Sequence, residues 1–443
     1  MRDLLSIGTS RGCEMIGTGI GLGLAGYRFN PAGVLPVLDI NFRDFKTFSS
    51  AIGPTASFSR ASSGTYFDET GVLRTASTNV GRINHVYNGT SWVCKGGLIE
   101  DQRTNVLPNS QQFDNAAWNK SGAVAITADQ LNAPDETLTG DLLKPTAGNS
   151  THYLFRQSLS YSSGNNTLSI FAKYQNHRWF VIQYYDGAKS VEASFDLLNG
   201  LAGAVGSGAS SAMSNAGNGW YRLSITSSAA SGSGSGYFTI ALNSSDSASI
   251  QAWNATGSES VAIWGAQLEA GALSSYIATT SASATRSADV MQITGSNFSG
   301  FWNQSEGTFA TECDANGFNA SGVNYMGVAS TGGLSQYAFV GRFQGSLSSL
   351  NYQVYNGSPD CSITLTPAGS NPTKSAFGFK ANDCAASANA GAVSTDTTVA
   401  MTTALTQLEI GNFLGNNFLN GHIARLRYWN TRLDNATLRA LST

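Results

Sequence analysis

Residues 260–289 read SVAIWGAQLEAGALSSYIATTSASATRSAD. A strand pattern runs into Gln-Leu-Glu, then a hydroxyl-rich stretch, then a lone Arg-Ser-Ala-Asp. Successive side chains on a strand face opposite ways, so Val261 and Ile263 share one face and Ala262 and Trp264 the other. Gly265 interrupts the alternation as a bulge or a point of close backbone approach. Beyond it, Gln267 and Glu269 lie on one side and Leu268 on the other, as on a strand that leaves a sheet to start a linker.

The same grammar extends through the chain. NTLSIFAKY, RWFVIQYY, VEASFDL, WYRLSITSS and GYFTIALN cluster β-branched and aromatic residues between Gly/Asn/Ser turns such as SSGNN and AASGSGSG. After residue 300 the pattern returns in GTFATECDA, QYAFVGRF, LNYQVYN, AFGFKAN, LTQLEIGNF and GHIARLRYW. With no amphipathic run of helical length between them, these strands predict an all-β chain of two antiparallel sandwiches in tandem. The expected organisation is an extended segment at 1–35, a small β-rich region at 36–104, one sandwich at 105–285 and another at 286–443. A short terminal helix is expected from about Asp434, capped by that Asp.

Composition narrows the partners. Only 12% of the 443 residues are charged, against about 25% in ordinary soluble domains, and Gly reaches 49 while Pro stays at 9. The surface is therefore built from Ser, Thr, Asn and Gln. With a net charge of −3 such a surface is a poor match for nucleic acid, which is bound by neutralising phosphates; sugars and protein surfaces fit better. No run of about 18 apolar residues is present, so no membrane span is expected. The five cysteines, Cys13, Cys94, Cys313, Cys361 and Cys384, form no C-x-x-C pair. They predict thiols made in a reducing compartment rather than a disulfide framework or zinc site, with a Cys361–Cys384 bridge left open. No cofactor and no metal site is expected. In the first 26 residues Arg11 and Glu14 interrupt any signal-peptide core, and GTGIGLG lacks the strand and helix a phosphate loop needs. An extended docking segment is the expectation there.

Catalytic motifs are missing. A glycosidase needs two carboxylates across one cleft and a triad hydrolase needs an oriented histidine, but His85, His152, His177 and His422 are isolated and most acids sit in turns such as FDET and YDG. Glu100, in GGLIEDQR, and Glu269, in WGAQLEAG, each close a strand ahead of a hydroxyl-rich connection and an arginine, Arg103 and Arg286. These four are expected to be domain seams, where carboxylate and guanidinium tie a linker down; an acid-base role for either Glu is the alternative. For binding, HRWFVIQYYDG puts His177, Trp179, Val181, Gln183 and Tyr185 on one face, aromatic plates beside amide donors that suit sugars. Arg342, Asn351, Gln353 and Tyr355 could share a second polar face. Trp179, Gln183 and Tyr185 are the first candidates for glycan contact, with a buried or subunit-facing surface as the alternative, and Arg342, Gln353 and Tyr355 the second, with plain solvent exposure as the alternative.

The ordered series FSRASSGTYFDETGVL, GGLIEDQRTNVLPNS, FDNAAWNKSG, GNGWYRLS, WGAQLEAG, SSYIATT and TRSADV resembles bacteriophage head-spike, head-fibre and tail-fibre proteins. GNGWYRLSITSS with SVAIWGAQLEAG resembles the last strands of carbohydrate-binding-module jelly rolls, and FLNGHIARLRYWNTRLDNATLRALST resembles the close of laminin G-like, concanavalin A-like ones. The resemblance, over residues 36–443, implies a non-enzymatic protein of the virion surface, made in the host cytoplasm. It implies attachment to a capsid or tail protein through the N-terminal segment, contact with bacterial surface polysaccharide, and a homo-oligomer, expected to be a trimer. A purely structural decoration protein and a lectin-like accessory module of a polysaccharide-degrading system are the alternatives.

Overall fold

The computed structural model describes residues 33–230, 236–317, 322–366, 373–401 and 405–443. All but the last three residues of the expected 1–35 docking segment, Cys13 included, lie outside them. The described chain is all-β, in two antiparallel sandwiches.

In the first sandwich, a seven-stranded sheet runs Leu201–Val205, Ser190–Asp196, Trp179–Tyr185, Gly236–Asn243, Gly148–Leu159, Ala252–Ala255, with Asn119–Gly122 also on Gly148–Leu159. It faces a six-stranded sheet ordered Ala209–Asn215, Trp220–Ala230, Gly164–Tyr174, Val261–Ala270, Leu138–Pro145, Val124–Asn132. Alternation decides what lies between them. Phe180, Ile182 and Tyr184 point inward to meet Ile170, Leu223, Ile225, Ile240, Val261 and Ile263. Each side chain so buried contributes about 1.5–3 kcal/mol. The odd residues of Trp179–Tyr185 are left on the outer face.

The second sandwich corrects the expected boundaries. Its eight-stranded sheet runs Ser394–Asp396, Cys384–Ala388, Thr373–Lys380, Glu306–Cys313, Gly421–Trp429, Trp92–Ile99, Ile83–Tyr87, with Leu38–Asn41 also paired to Gly421–Trp429. In its seven-stranded partner, Ser57–Ser59 pairs with Val290–Thr294 at one edge. Residues 36–104 are therefore not a separate β region. Their strands complete both sheets of the second sandwich, because Leu38, Ile40 and Ile99 are apolar on the face that joins Phe309, Phe377, Leu426 and Tyr428 in one core. The first sandwich is an insertion between residue 103 and residue 286. The chain enters and leaves it through a two-stranded pair, Arg103–Asn105 with Ala284–Arg286, in which Arg103 lies opposite Arg286.

A hairpin, Gly64–Phe67 with Leu73–Ala76, leans onto the inserted sandwich. There Leu73 donates its N–H to the Pro134 carbonyl at 2.9 Å and shares an apolar cluster with Phe171, Trp220, Trp264 and Tyr276. The terminal helix spans Asn435–Leu441, with Asp434 accepting from the Thr437 N–H at 2.8 Å.

Candidate functional site

The outer face of the first sandwich's seven-stranded sheet carries a groove of about 340 Å³, lined by Thr151, Tyr153, Phe155, Gln183, Tyr237, Thr239 and Ile250. Strand register builds it. Gln183 sits opposite Thr239, which sits opposite Phe155; Tyr185 sits opposite Tyr237, which sits opposite Gln157. Since facing side chains on neighbouring strands are about 5 Å apart, the rings form a continuous strip. Tyr185 stacks on Tyr237 with centroids 4.4 Å apart, Phe155 meets Tyr237 edge-on at 6.3 Å, and Tyr153 lies 5.9 Å from Phe155. These rings are half-buried. Beside them, Gln183 Nε2 donates to Glu192 Oε1 at 2.5 Å and to Ser190 Oγ at 3.3 Å, and the Tyr185 hydroxyl donates to the Gly187 carbonyl.

Gln183 and Tyr185 thus fall at the site, and Trp179 does not. It lies four residues along the strand from Gln183, about 13 Å away, where the Arg178 guanidinium covers its ring at 4.7 Å and pairs with Asp196. His177 turns away to stack on Trp253 at 5.0 Å. Tyr153, Phe155 and Tyr237 escaped the sequence reading. The alternation in THYLFRQ and GYFTIALN puts them on one face of their strands, but strand order alone brings them beside Gln183.

In the second sandwich Arg342 and Asn351 are cross-strand neighbours. They bond each other at 3.1 Å, and Arg342 also reaches the Tyr325 hydroxyl at 3.1 Å. Tyr355 stacks on Tyr337 at 4.7 Å, which in turn meets Phe413. Gln353 is buried. These candidates share a sheet but are engaged with one another and their neighbours.

The four seam residues meet, and they pair crosswise. Glu100, from before the insertion, lies 3.5 Å from Arg286, from after it, while Glu269 lies 3.8 Å from Arg103. Two adjacent serines serve the two carboxylates. Ser275 gives Glu100 its N–H at 2.8 Å and its hydroxyl at 2.7 Å, and Ser274 gives Glu269 its N–H at 3.0 Å and its hydroxyl at 2.6 Å. Around Glu100, Arg82 joins Glu100 to Asp289, and Arg60 holds Asp289 at 2.9 Å. Arg60, Arg82, Arg286 and Asp289 are all at most 1% exposed. Burial alone would raise the Glu100 carboxyl, but the charges of Arg286 and Arg82 and the Ser275 bonds outweigh it and hold it well below the usual carboxylate range. Burial raises Glu269 instead, for the Ser274 bonds and the Arg222 charge offset it only in part.

Arg60, Arg82 and Asp289 were not singled out in the sequence, yet Arg60 stands in FSRASSG and Asp289 in TRSADV, as Glu100 stands in GGLIE, with Arg82 between the motifs. What those quoted motifs share is this buried network. The network borders a cleft of about 1100 Å³ between the sandwiches, with Ser210, Ser214, Arg222 and Thr226 on one wall and Thr65, Tyr66 and Asn84 on the other. Among the described residues no group of three His, Cys, Asp or Glu side chains is placed to hold a metal ion, and no helix is long and apolar enough to cross a membrane.

No protein-family model matches this chain, and no curated protein matches it. Among solved structures it is similar to the enzymatically active domain of tailspike protein 4 of bacteriophage CBA120, at 12% identity and a TM-score of 0.25, over 37% of this chain and 21% of that one. The matched part is thus about a fifth of the tailspike chain. It is also similar to domains LG4-5 of the mouse laminin alpha1 chain, at 8% identity and a TM-score of 0.22, over 74% of this chain and 96% of that one. Likenesses this distant carry no weight for the site, whose chemistry rests on its own geometry.

Proposed function

We propose that this chain is a non-enzymatic attachment protein of a bacteriophage virion that holds bacterial surface polysaccharide in the aromatic groove of its first sandwich. The observation that carries the glycan assignment is the strip Tyr153, Phe155, Tyr237, Tyr185 beside Gln183 and Thr239. Flat aromatic faces take the C–H face of a sugar ring while neighbouring amide and hydroxyl groups take its hydroxyls. The virion assignment rests on the ordered motifs from FSRASSGTYFDETGVL to TRSADV, and with it go docking through the N-terminal segment and a homotrimer. A stacked ring contributes on the order of 1 kcal/mol, so firm attachment calls for several copies acting together.

Retention of the purified protein on host cells or on their extracted polysaccharide tests this. Tyr237→Ala is expected to weaken single-site binding about fivefold, with the far-ultraviolet circular dichroism unchanged. Trp179→Ala, outside the groove, is expected to bind nearly as the parent does. Parent-like binding by Tyr237→Ala, or a fall in polysaccharide chain length on incubation, overturns the proposal.

A further inference from the structure

We infer that the groove selects uncharged sugar rings and rejects carboxylated or sulfated ones, and that Glu192 is the residue that sets this preference; the inference rests on the glycan reading of the groove. Glu192 lies directly across the strand pair from Gln183. Its Oε1 accepts from Gln183 Nε2 at 2.5 Å, and its Oε2 accepts from the Ile250 N–H at 3.2 Å. A carboxylate offers no hydrogen to donate, so the Gln183 amide must turn its NH2 group toward Glu192. In that orientation the same NH2 group also reaches Ser190 Oγ, which accepts. The Gln183 carbonyl oxygen is consequently the end of the amide turned away from Glu192, an acceptor that suits a sugar hydroxyl and repels a sugar carboxylate.

Charge works in the same direction. No lysine or arginine is among the described residues lining the groove. The nearest strand cation on Gly148–Leu159, Arg156, donates to the Ala117 carbonyl at 2.7 Å, and Lys189 reaches the Gly208 carbonyl at 3.1 Å. The Tyr237 hydroxyl has its pKa raised by burial first, then by Tyr185 and by the Glu192 charge, so that charge is felt at the central ring of the strip. An anionic ligand here would meet a fixed negative charge and an oriented acceptor, with no cation in the lining to offset either.

Matched pairs test it: methyl glucoside against methyl glucuronide and methyl galactoside against methyl galacturonide, each titrated into the full chain and followed by ligand-observed NMR at low salt. In at least one pair the neutral member is expected to bind about tenfold or more tightly than its uronide. Glu192→Gln, which keeps the shape and can still accept from Gln183, is expected to narrow that ratio to about threefold or less. Raising salt to about 0.5 M is expected to narrow it in the parent and not in the variant. A parent that binds both members equally, or a Glu192→Gln protein with the parent's ratio, overturns the selectivity while leaving the groove as the glycan site. Neutral glycosides that bind Tyr237→Ala as they bind the parent, or that do not bind the parent at all, overturn the site itself.

Discussion

Glu100 and Glu269 are both glutamates, each takes an N–H and a hydroxyl from its own serine, Ser275 and Ser274, and both are almost completely buried, yet their environments push them opposite ways. The difference is how closely the guanidinium groups approach, 2.8 Å and 3.5 Å at Glu100 against 3.8 Å at Glu269. Glu100 balances Arg82 and Arg286, whereas Glu269 has its nearest charged partner only at 3.8 Å and otherwise leans on neutral donors, Gln267 and Ser274. Removing one charge from a buried network leaves its partners uncompensated. Glu100→Gln is therefore expected to cost about 3–5 kcal/mol. Glu269→Gln, whose amide can still accept from Gln267 and face the Ser274 hydroxyl, should stay within about 1 kcal/mol of the parent. Their pH dependence should also be opposite. A carboxyl lowered by folding gives stability that is present above its unfolded pKa and lost on acidification; one raised by folding loses stability as pH rises. Denaturation midpoints from about pH 3 to 8 check this, with Glu269→Gln gaining on the parent as pH rises above about 4 and Glu100→Gln closing its deficit as pH falls below that. A Glu269→Gln variant that loses ground as pH rises contradicts the assignment.

At the scale of the element, the strand Val261–Ala270 shows how one glycine directs two acids. Before Gly265 the odd residues Val261 and Ile263 are in the core; after it the even residues Ala266 and Leu268 are. The register against Gly164–Tyr174 slips at this point, since Trp264 faces Phe171 while Gln267 faces Ser169. Without that bulge Gln267 and Glu269 would point into the apolar core. Gly265 has φ +62°, and a Cβ there would come within 2.9 Å of the Phe171 ring and 3.2 Å of Tyr276. Gly265→Val is expected to destabilise the first sandwich by about 2 kcal/mol or more, from the left-handed backbone and the overpacking together. Chemical denaturation measures it. An unchanged midpoint means that the bulge relocates at no cost.

For the whole molecule, the insertion makes an unusual prediction about what can be cut away. Residues 286–443 expressed alone lack Leu38–Asn41, Ser57–Ser59, Ile83–Tyr87 and Trp92–Ile99, and so lack strands from both sheets; they are expected to be insoluble or unfolded. By contrast, Arg103 and Arg286 are directly opposed in an antiparallel pair, about 5 Å apart. Joining the flanking strands by a two-residue turn in place of residues 106–283 should leave a folded second sandwich, and residues 105–285 alone a folded first one, since the first core is drawn from Leu107 to Leu268. Cooperative thermal melts of both pieces are the expected outcome; a folded 286–443 fragment would show that the early strands are dispensable.

Local rules settled the class of this protein. Period-two alternation in segments such as RWFVIQYY and GYFTIALN, punctuated by Gly and Asn, permits little but antiparallel sandwiches, and a strand's two faces follow from its own residues. The same rules marked Glu100, Arg103, Glu269 and Arg286 as seams and Gln183 and Tyr185 as outward-facing. They were silent on which strands lie side by side. That Trp92–Ile99 pairs with Gly421–Trp429, more than 320 residues later, depends on a shared core rather than on any local signal. For the same reason the groove was only half legible: Gln183 and Tyr185 belong to one strand, but Phe155, Tyr237 and Glu192 reach them through cross-strand register. Arg60, Arg82 and Asp289 read singly as ordinary surface charges, and only folding, which removes water from all of them at one point, makes them partners.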